Sequence, residues 1–211
     1  MRREWSWLKS ELSAAAAPPP ETAVPSYTTP RARAVRFCRE VVFAHMDCQS
    51  LNILTPSGTA DCNDDVSKPG EWGKGEAEIR LIDFEYAGRN PRAADIANTF
   101  CEHCDMINLK AEYREQYPSA VKQNSFLRRY VREANLSLEQ ELDSSEGSWD
   151  EFLTAMREEV GKHTLISHLG WAIWSVAQSR FSGIEFDYLA YAKLRMEGYW
   201  FFKRRHWPNL S

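Results

Sequence analysis

Three side chains set out the chemistry that this sequence could perform. Asp47 and Asn52 stand five positions apart in Val41-Val42-Phe43-Ala44-His45-Met46-Asp47-Cys48-Gln49-Ser50-Leu51-Asn52-Ile53-Leu54. Asp83 follows in Ile79-Arg80-Leu81-Ile82-Asp83-Phe84-Glu85-Tyr86. An acid, an amide and a second acid are hard oxygen donors, suited to magnesium held jointly with substrate phosphates. Phosphoryl transfer to an alcohol uses such a set. One carboxylate accepts the proton of the attacking hydroxyl, while an amide and another carboxylate hold the metal that offsets charge on the phosphate. The plainer alternative is a polar surface loop next to a polar-edged strand. Both stretches occurring in this order, each joined to an apolar run, favours the chemical reading.

Those groups need a scaffold. Each stretch has an apolar run that reads as a buried strand. Between Asp47 and Ile53 the chain is expected to leave the core, present the acid and the amide, and return. Asp83 and Glu85 alternate with Ile82 and Phe84, which in a strand puts both carboxylates on one side. The strands at 51–55 and 78–84 could pair as a hairpin across Thr55–Glu78. That connecting stretch holds six acids, two lysines and several Gly and Pro, and reads as a polar excursion.

The bulk properties bound the answer. The chain has 211 residues, of which 43% are hydrophobic, enough for one domain with a proper core. A net charge of −4 argues against nucleic acid as a partner, which usually demands a basic surface. No apolar run approaches the roughly 18 residues of a membrane span, and no apolar stretch follows Met1-Arg2-Arg3 as in a signal peptide. The five cysteines are odd in number, and Cys101-Glu102-His103-Cys104 is a lone CxxC. A reduced cytoplasmic protein fits better than a disulfide or zinc framework.

Along the chain, residues 3–13 carry Trp5, Leu8 and Leu12 at helical spacing. Ala14–Pro30 is rich in Ala, Pro and Thr and reads as a linker, so residues 1–34 form a helix plus a Pro-rich connection. Residues 31–40 are basic and lead into the first strand. Helices are expected over 94–106, with Ile96, Phe100 and Cys104 on one face, and over 118–135. Leu136–Ser148 reads as an acidic loop, Trp149–Ser182 as two helices or one bent helix, and Phe186–Arg204 as a last helix. Arg92 and Asp95 could tie the helix at 94 to the loop at Asp47, the alternative being a solvated ion pair. Lys203-Arg204-Arg205-His206 reads as a helix end whose cations suit the helix dipole.

On a helical wheel of residues 163–178, Leu165, Leu169, Ala172 and Val176 make a narrow aliphatic stripe. His163, Ser167, Trp171, Trp174 and Gln178 fall nearly opposite. A surface helix would show charge there. Tryptophans among small polar groups instead indicate a second buried face, either plain core or the lining of a pocket.

His45-Met46-Asp47 followed by Asn52, Ile82-Asp83-Phe84-Glu85-Tyr86, Asn90-Pro91-Arg92-Ala93-Ala94-Asp95-Ile96-Ala97-Asn98 and Phe100-Cys101-Glu102 together resemble the choline/ethanolamine kinase family. The resemblance continues at Ser167-His168-Leu169-Gly170-Trp171-Ala172-Ile173-Trp174-Ser175 and Ile184-Glu185-Phe186-Asp187-Tyr188, covering roughly residues 35–205. It implies an α+β, mostly helical chain: the C-terminal lobe of a protein-kinase-like fold, with a small β-hairpin carrying the catalytic loop. The lobe would span 35–211, with a catalytic loop at 43–54, an acidic loop at 55–78, a metal-binding strand at 79–86 and a helical substrate subdomain at 94–205.

The resemblance implies ATP and magnesium, and choline or ethanolamine as the alcohol. Asp47 would be the base, Asn52 and Asp83 the metal ligands, and Glu85 a further carboxylate at the metal. His45, Arg92 and Asp95 would support the loop, and Gln49 could touch phosphate or substrate. Trp171 and Trp174 would be walls around a quaternary ammonium, which has no N–H to donate and is recognised by aromatic faces. Phe186 and Tyr191 would lie nearby, and Glu102 would face the cationic head. No membrane insertion is implied, and a homodimer stays open.

Three features depart from the family pattern. Met46 stands where Asn is usual. After Glu102 the chain continues His103-Cys104-Asp105-Met106-Ile107 where aromatics are common. Only 44 residues precede His45, with Lys9 the one lysine and no Gly-rich loop among them. A truncated form with little activity alone is therefore expected. Its rivals are a non-catalytic lobe that binds an amine or a partner chain, and another small-molecule phosphotransferase of the aminoglycoside type.

Overall fold

The structure is a computed structural model that describes residues 1–16, 29–54, 79–144 and 146–207. The acidic stretch at 55–78, with Cys62, and most of the Pro-rich linker lie outside the described residues.

A helix of 34 residues, Ser148–Phe181, is the axis of the lobe. It is one continuous helix, in keeping with the absence of proline from its sequence. In chain order the helices are α1 (Arg2–Ala16), α2 (Pro30–Arg39), α3 (Arg92–Cys101), α4 (Tyr113–Gln116), α5 (Ala120–Ala134), α6 (Leu136–Asp143), α7 (Ser148–Phe181) and α8 (Tyr188–His206). The strands are β1 (Val41–Ala44), β2 (Ile53–Leu54), β3 (Arg80–Leu81) and β4 (Gly88–Pro91). α7 packs on α2, α3 and α8.

Two cores flank α7. One gathers Phe37, Ile96, Phe100, Leu127, Val131, Phe152 and Met156 from α2, α3, α5 and the first half of α7. The other gathers Leu8, Leu165, Leu169, Tyr199 and Phe202 from α1, α8 and the second half of α7, with Met106 from the connection between α3 and α4. Full burial of each such side chain contributes roughly 1.5–3 kcal/mol. Two glycines let α7 and α8 approach closely. A Cβ on Gly161 would meet the His206 ring at 2.2 Å, and one on Gly198 would meet the His168 ring at 2.5 Å.

Three helices stand where none was expected, one of them the short α4. Residues 30–39 form α2, started by Pro30 and by Thr29 Oγ1, which accepts the Ala32 N–H at 3.2 Å. This capping signal was masked by the arginine content. Leu136–Asp143 forms α6 in place of an acidic loop, capped by Asn135 Oδ1, which accepts the Leu138 N–H at 3.0 Å. α3 ends at Cys101 rather than continuing to 106. In α1, Leu8 is fully buried but Trp5 is 41% exposed. The docking face instead carries Glu4, which accepts from Tyr199 Oη at 2.7 Å and Lys203 Nζ at 2.5 Å.

The sheets are two antiparallel pairs. Ile53 faces Leu81 and Leu54 faces Arg80, the expected hairpin. β1 pairs with β4, Val41 opposite Pro91 and Ala44 opposite Gly88. The expectation that the apolar runs are buried strands fails. Val41, Phe43, Leu51, Leu54, Ile79, Leu81, Ile82 and Phe84 are all exposed. They form an apolar rim on the two strand pairs, on the segments that carry Asp47 and Asp83. Among the described residues, no helix is long and apolar enough to cross a membrane.

Candidate functional site

The loop between β1 and β2 is held by its own polar groups. Asn52 Nδ2 donates to the Asp47 carbonyl and to Asp47 Oδ2, each at 2.9 Å. Gln49 Nε2 approaches Asp47 Oδ2 at 3.4 Å. His45 Nδ1 accepts the Asp47 N–H at 3.3 Å, which leaves the proton on Nε2 to donate to the Ile82 carbonyl at 2.9 Å. The Ile82 N–H in turn donates to the Asn52 carbonyl at 3.0 Å. The two motif stretches are thus bolted together through Ile82. Asp47 and Asn52 are both buried. Burial pushes the Asp47 carboxyl above its ordinary range, and the nearby charges of Glu102 and Asp83 add to this against the opposing Asn52 hydrogen bond.

Asp95 and Arg92 take different parts. Asp95 Oδ1 accepts the Met46 N–H at 2.8 Å, so α3 does tie down the loop. Arg92 does not reach it. Its guanidinium binds the Phe37 carbonyl and the Glu40 carboxylate at the end of α2 and lies 4.0 Å from the Phe37 ring centre.

Met46 has φ +65°, in the left-handed region where Asn is enriched and a long side chain is strained. This gives a physical reason for Asn at this position in the family pattern. Met46→Asn should raise stability by about 1 kcal/mol, read as a higher urea midpoint at unchanged slope. An unchanged or lower midpoint would remove the strain argument.

The carboxylates after β3 are not on one strand face. β3 stops at Leu81 and Asp83 has φ +62°. A turn follows, in which the Ala87 N–H donates to the Phe84 carbonyl at 3.0 Å. Period-two alternation therefore does not apply to Asp83 and Glu85. Asp83 lies close enough to Asp47 to raise its pKa, while Glu85 accepts from the Tyr86 hydroxyl. Among the described residues, no three His, Cys, Asp or Glu side chains converge to hold a metal unaided. The donor chemistry nonetheless suits magnesium. Asn52 directs its amide N–H groups at Asp47, which leaves its side-chain carbonyl oxygen available as a ligand atom. One amide and one carboxylate, completed by phosphate oxygens and water, is an ordinary magnesium set.

The tryptophan stripe of α7 divides in two. His163 and Ser167 are buried, whereas Trp171 and Trp174 are half-buried. Six rings run in a chain of edge contacts. Tyr86 meets Trp171 at 5.1 Å, Trp171 meets Trp174 at 5.2 Å, and Trp174 meets Tyr188 at 5.9 Å. Phe186 then contacts Tyr188 at 5.1 Å and Tyr191 at 5.7 Å. Asn98 Oδ1 orients the indole of Trp171, accepting from its Nε1 at 2.9 Å and from Ser167 Oγ at 2.8 Å.

Glu102 is already paired within the protein through one of its oxygens. Its Oε1 accepts from Arg195 Nη2 at 2.6 Å, and both side chains are buried. The Tyr191 hydroxyl accepts from the same guanidinium at 2.9 and 2.6 Å. Arg195 sits 5.0 Å from the Tyr191 ring centre and 5.9 Å from that of Trp171, closing the chain of rings. The protein's own cation thus engages one oxygen of Glu102 and the hydroxyl of Tyr191, two of the residues that the sequence suggested for a substrate cation.

The structure therefore brings Asp47, Gln49, Asn52 and Asp83 together, and beside them Glu102, Trp171, Trp174, Phe186 and Tyr191, with Glu102 close enough to act on the Asp47 carboxyl. Sequence reasoning passed over Tyr86, Tyr188, Asn98 and Arg195 as site residues. Tyr86, Asn98 and Tyr188 stand inside the motifs it used, and Arg195 falls one helical turn after Tyr191, so spacing alone carried a signal. A surface recess of about 410 Å³ between Arg114, Phe201, Arg204 and Arg205 lies toward the other end of α8 and brings together no comparable set.

Residues 28–200 match the family described as choline/ethanolamine kinase. Mouse choline kinase alpha is 35% identical over 172 residues, covering 78% of this chain and 34% of that protein. A probable ethanolamine kinase of Nematostella vectensis is 31% identical over 165 residues, covering 78% of this chain and 41% of that protein. Among solved structures, a choline kinase of Cryptosporidium parvum has a TM-score of 0.56 at 27% identity, covering 83% of this chain and 42% of that one. A Plasmodium vivax ethanolamine kinase has a TM-score of 0.57 at 22% identity, covering 83% and 38%, a likeness of fold alone. The fold is that of a protein-kinase-like C-terminal lobe. The chain spans about a third to two-fifths of the length of these relatives.

Proposed function

This chain belongs to the choline/ethanolamine kinase family, and on that premise we propose that it serves ATP-dependent phosphoryl transfer to the hydroxyl of choline or ethanolamine, the reaction that begins phospholipid head-group synthesis. The observation that carries this reading is the buried Asp47–Asn52 pair, with Asp83 beside it and an aromatic wall nearby.

Asp47 is the base. Asn52 fixes one carboxylate oxygen, which leaves the other to take the hydroxyl proton, and the raised pKa brings that oxygen closer to the basicity the step needs. His45 and Asp95 hold the loop from either side, so the carboxylate is positioned before substrate arrives. Asn52 and Asp83 would hold magnesium, which when bound offsets charge on the transferred phosphoryl group. Glu85 acts through Tyr86, steadying the ring that meets Trp171. Gln49 lies where it could touch substrate or phosphate. The rings of Trp171, Trp174, Tyr86 and Tyr191 receive the ammonium head.

The apolar rim from Val41 to Phe84 is the surface an ATP-binding lobe would cover. Lys9, the lysine of the early sequence, stacks on Trp5 in α1 rather than near Asp47. These 211 residues alone should therefore turn over far below the usual roughly 1–100 s⁻¹ of kinases. Assay with ATP, magnesium and each alcohol checks this. Fusion to the ATP-binding lobe of a family relative should restore transfer. A fusion that folds, binds ATP and phosphorylates neither alcohol would overturn the function.

A further inference from the structure

The last turn of α8 carries Lys203, Arg204, Arg205 and His206, and the four take two courses. Lys203 and His206 turn inward. Lys203 Nζ donates to Glu4 Oε2 at 2.5 Å and lies 3.7 Å from the Trp7 ring centre, and the His206 ring stacks on Phe202. Arg204 and Arg205 stay exposed. Together with Arg114 of α4 and with Phe201 they line the open recess of about 410 Å³. Arginines elsewhere on the surface meet carboxylates, Arg31 at Glu158 and Arg33 at Glu141 for instance. Among the described residues, no carboxylate pairs with Arg114, Arg204 or Arg205. Arg205 also borders a second recess of about 210 Å³, where the buried Nε of Arg157 has no hydrogen-bond partner. The carboxylate on that second recess, Glu158, is the one held by Arg31.

Cations at a helix C-terminus suit its dipole, a role that covers Arg204 and Arg205 but not Arg114, which comes from another element. The chain as a whole is acidic, with a net charge of −4, so three guanidinium groups without counter-ions at one recess are a local exception. Like charges there repel one another unless an anion sits among them. Guanidinium forks fit the terminal oxygens of a phosphate in pairs. A phosphate monoester offers three such oxygens and roughly 1.5–2 negative charges at neutral pH, more of both than a carboxylate.

We propose that Arg114, Arg204 and Arg205 form a binding site for a phosphate monoester, with Phe201 as the apolar wall for the group that carries it. The phosphate belongs either to a soluble phosphorylated molecule or to the head group of a lipid, and the recognition chemistry is the same for both. Arg204 lies thirteen residues beyond Tyr191 on α8, roughly 20 Å along the helix axis. The site is therefore distinct from the residues assigned to phosphoryl transfer and stands independently of the kinase reading.

Two probes carry the same phosphate from the two sources. One is glycerol 3-phosphate, titrated calorimetrically into the full chain in magnesium-free buffer. The other is cosedimentation with phosphatidylcholine vesicles, with and without phosphatidic acid. Binding of glycerol 3-phosphate without added retention on phosphatidic acid supports a soluble ligand. Retention on phosphatidic acid without binding of glycerol 3-phosphate supports a lipid head group. Whichever probe binds should do so about tenfold or more weakly when Arg114→Gln and Arg204→Gln are combined, the scale of one charge-assisted hydrogen bond lost. Each of the two made singly should also weaken binding, and because both side chains are exposed the fold should survive, checked by urea denaturation. Arg128→Gln combined with Arg129→Gln removes equal charge from exposed ion pairs and should change binding by about twofold or less. Binding of neither probe, or binding that the recess variants leave unchanged, would overturn the site. An equal loss in the Arg128 and Arg129 pair would overturn it too, by marking the attraction as one of net charge alone.

Discussion

Asp47→Asn should lower phosphoryl transfer by about 10²–10⁴-fold in a form carrying an ATP-binding lobe, the range for loss of a general base. Amine binding should stay within about twofold, because the rings of the wall are untouched. The fold should also survive. The Asp47 carboxyl holds its proton more tightly in the folded chain than in the unfolded one. Stability from this group is therefore present below the unfolded carboxylate pKa and declines as pH rises toward the raised folded value. A neutral amide removes that cost and can still accept from Asn52. The same shift fixes the pH profile. Transfer requires ionised Asp47, so its acid limb should lie above the ordinary Asp value of about 3.9 and should be absent from the residual activity of Asp47→Asn. Retention of most activity in this variant, with an unchanged acid limb, would assign the base elsewhere.

Glu102→Ala should cost about 3–5 kcal/mol of fold stability, because it strands the buried Arg195 charge without its counter-ion. The guanidinium is almost fully enclosed and its N–H groups otherwise reach only the Tyr191 hydroxyl. Burial alone would push the Arg195 pKa down, but the Glu102 charge and hydrogen bond, with Tyr191, hold it above its ordinary value. Deprotonation is thus no escape for the stranded group. Urea denaturation of the two proteins gives the comparison. A carboxylate that served only to meet a substrate cation would be lost with no such penalty, so a variant of unchanged stability and weakened amine binding would refute the internal ion pair. Glu102→Gln should fall between the two, since the amide oxygen can accept from Arg195 without matching its charge.

Much of the site was legible because local patterns encode it. The spacing of Asp47 and Asn52 requires a loop that turns back on itself, and the structure closes it with the Asn52 amide on Asp47. The apolar runs on either side of the acidic stretch suggested a hairpin, and the structure pairs β2 with β3. The 3.6-residue period of α7 separated Leu165, Leu169 and Ala172 from Ser167, Trp171 and Trp174, since side-chain direction on a helix follows from sequence position alone.

Direction does not say what a side chain meets. Val41, Phe43 and Leu81 are apolar and strand-forming, yet they face outward, because no described element covers the two short strand pairs. Asp83 left the strand pattern through a left-handed backbone, a choice set by the clamps from His45 and Asn52 on Ile82 rather than by Asp83 itself. Arg92 turned to α2, a helix the composition had hidden. Glu102 and Arg195 are 93 positions apart, and each is an ordinary charged residue in its own neighbourhood. Periodicity put Glu102 inside a helix over 94–106 and Arg195 one turn beyond Tyr191 in the last helix. Only the docking of α8 on α7, permitted by Gly161 and Gly198, brought the two charges together in a buried site where neither is stable without the other.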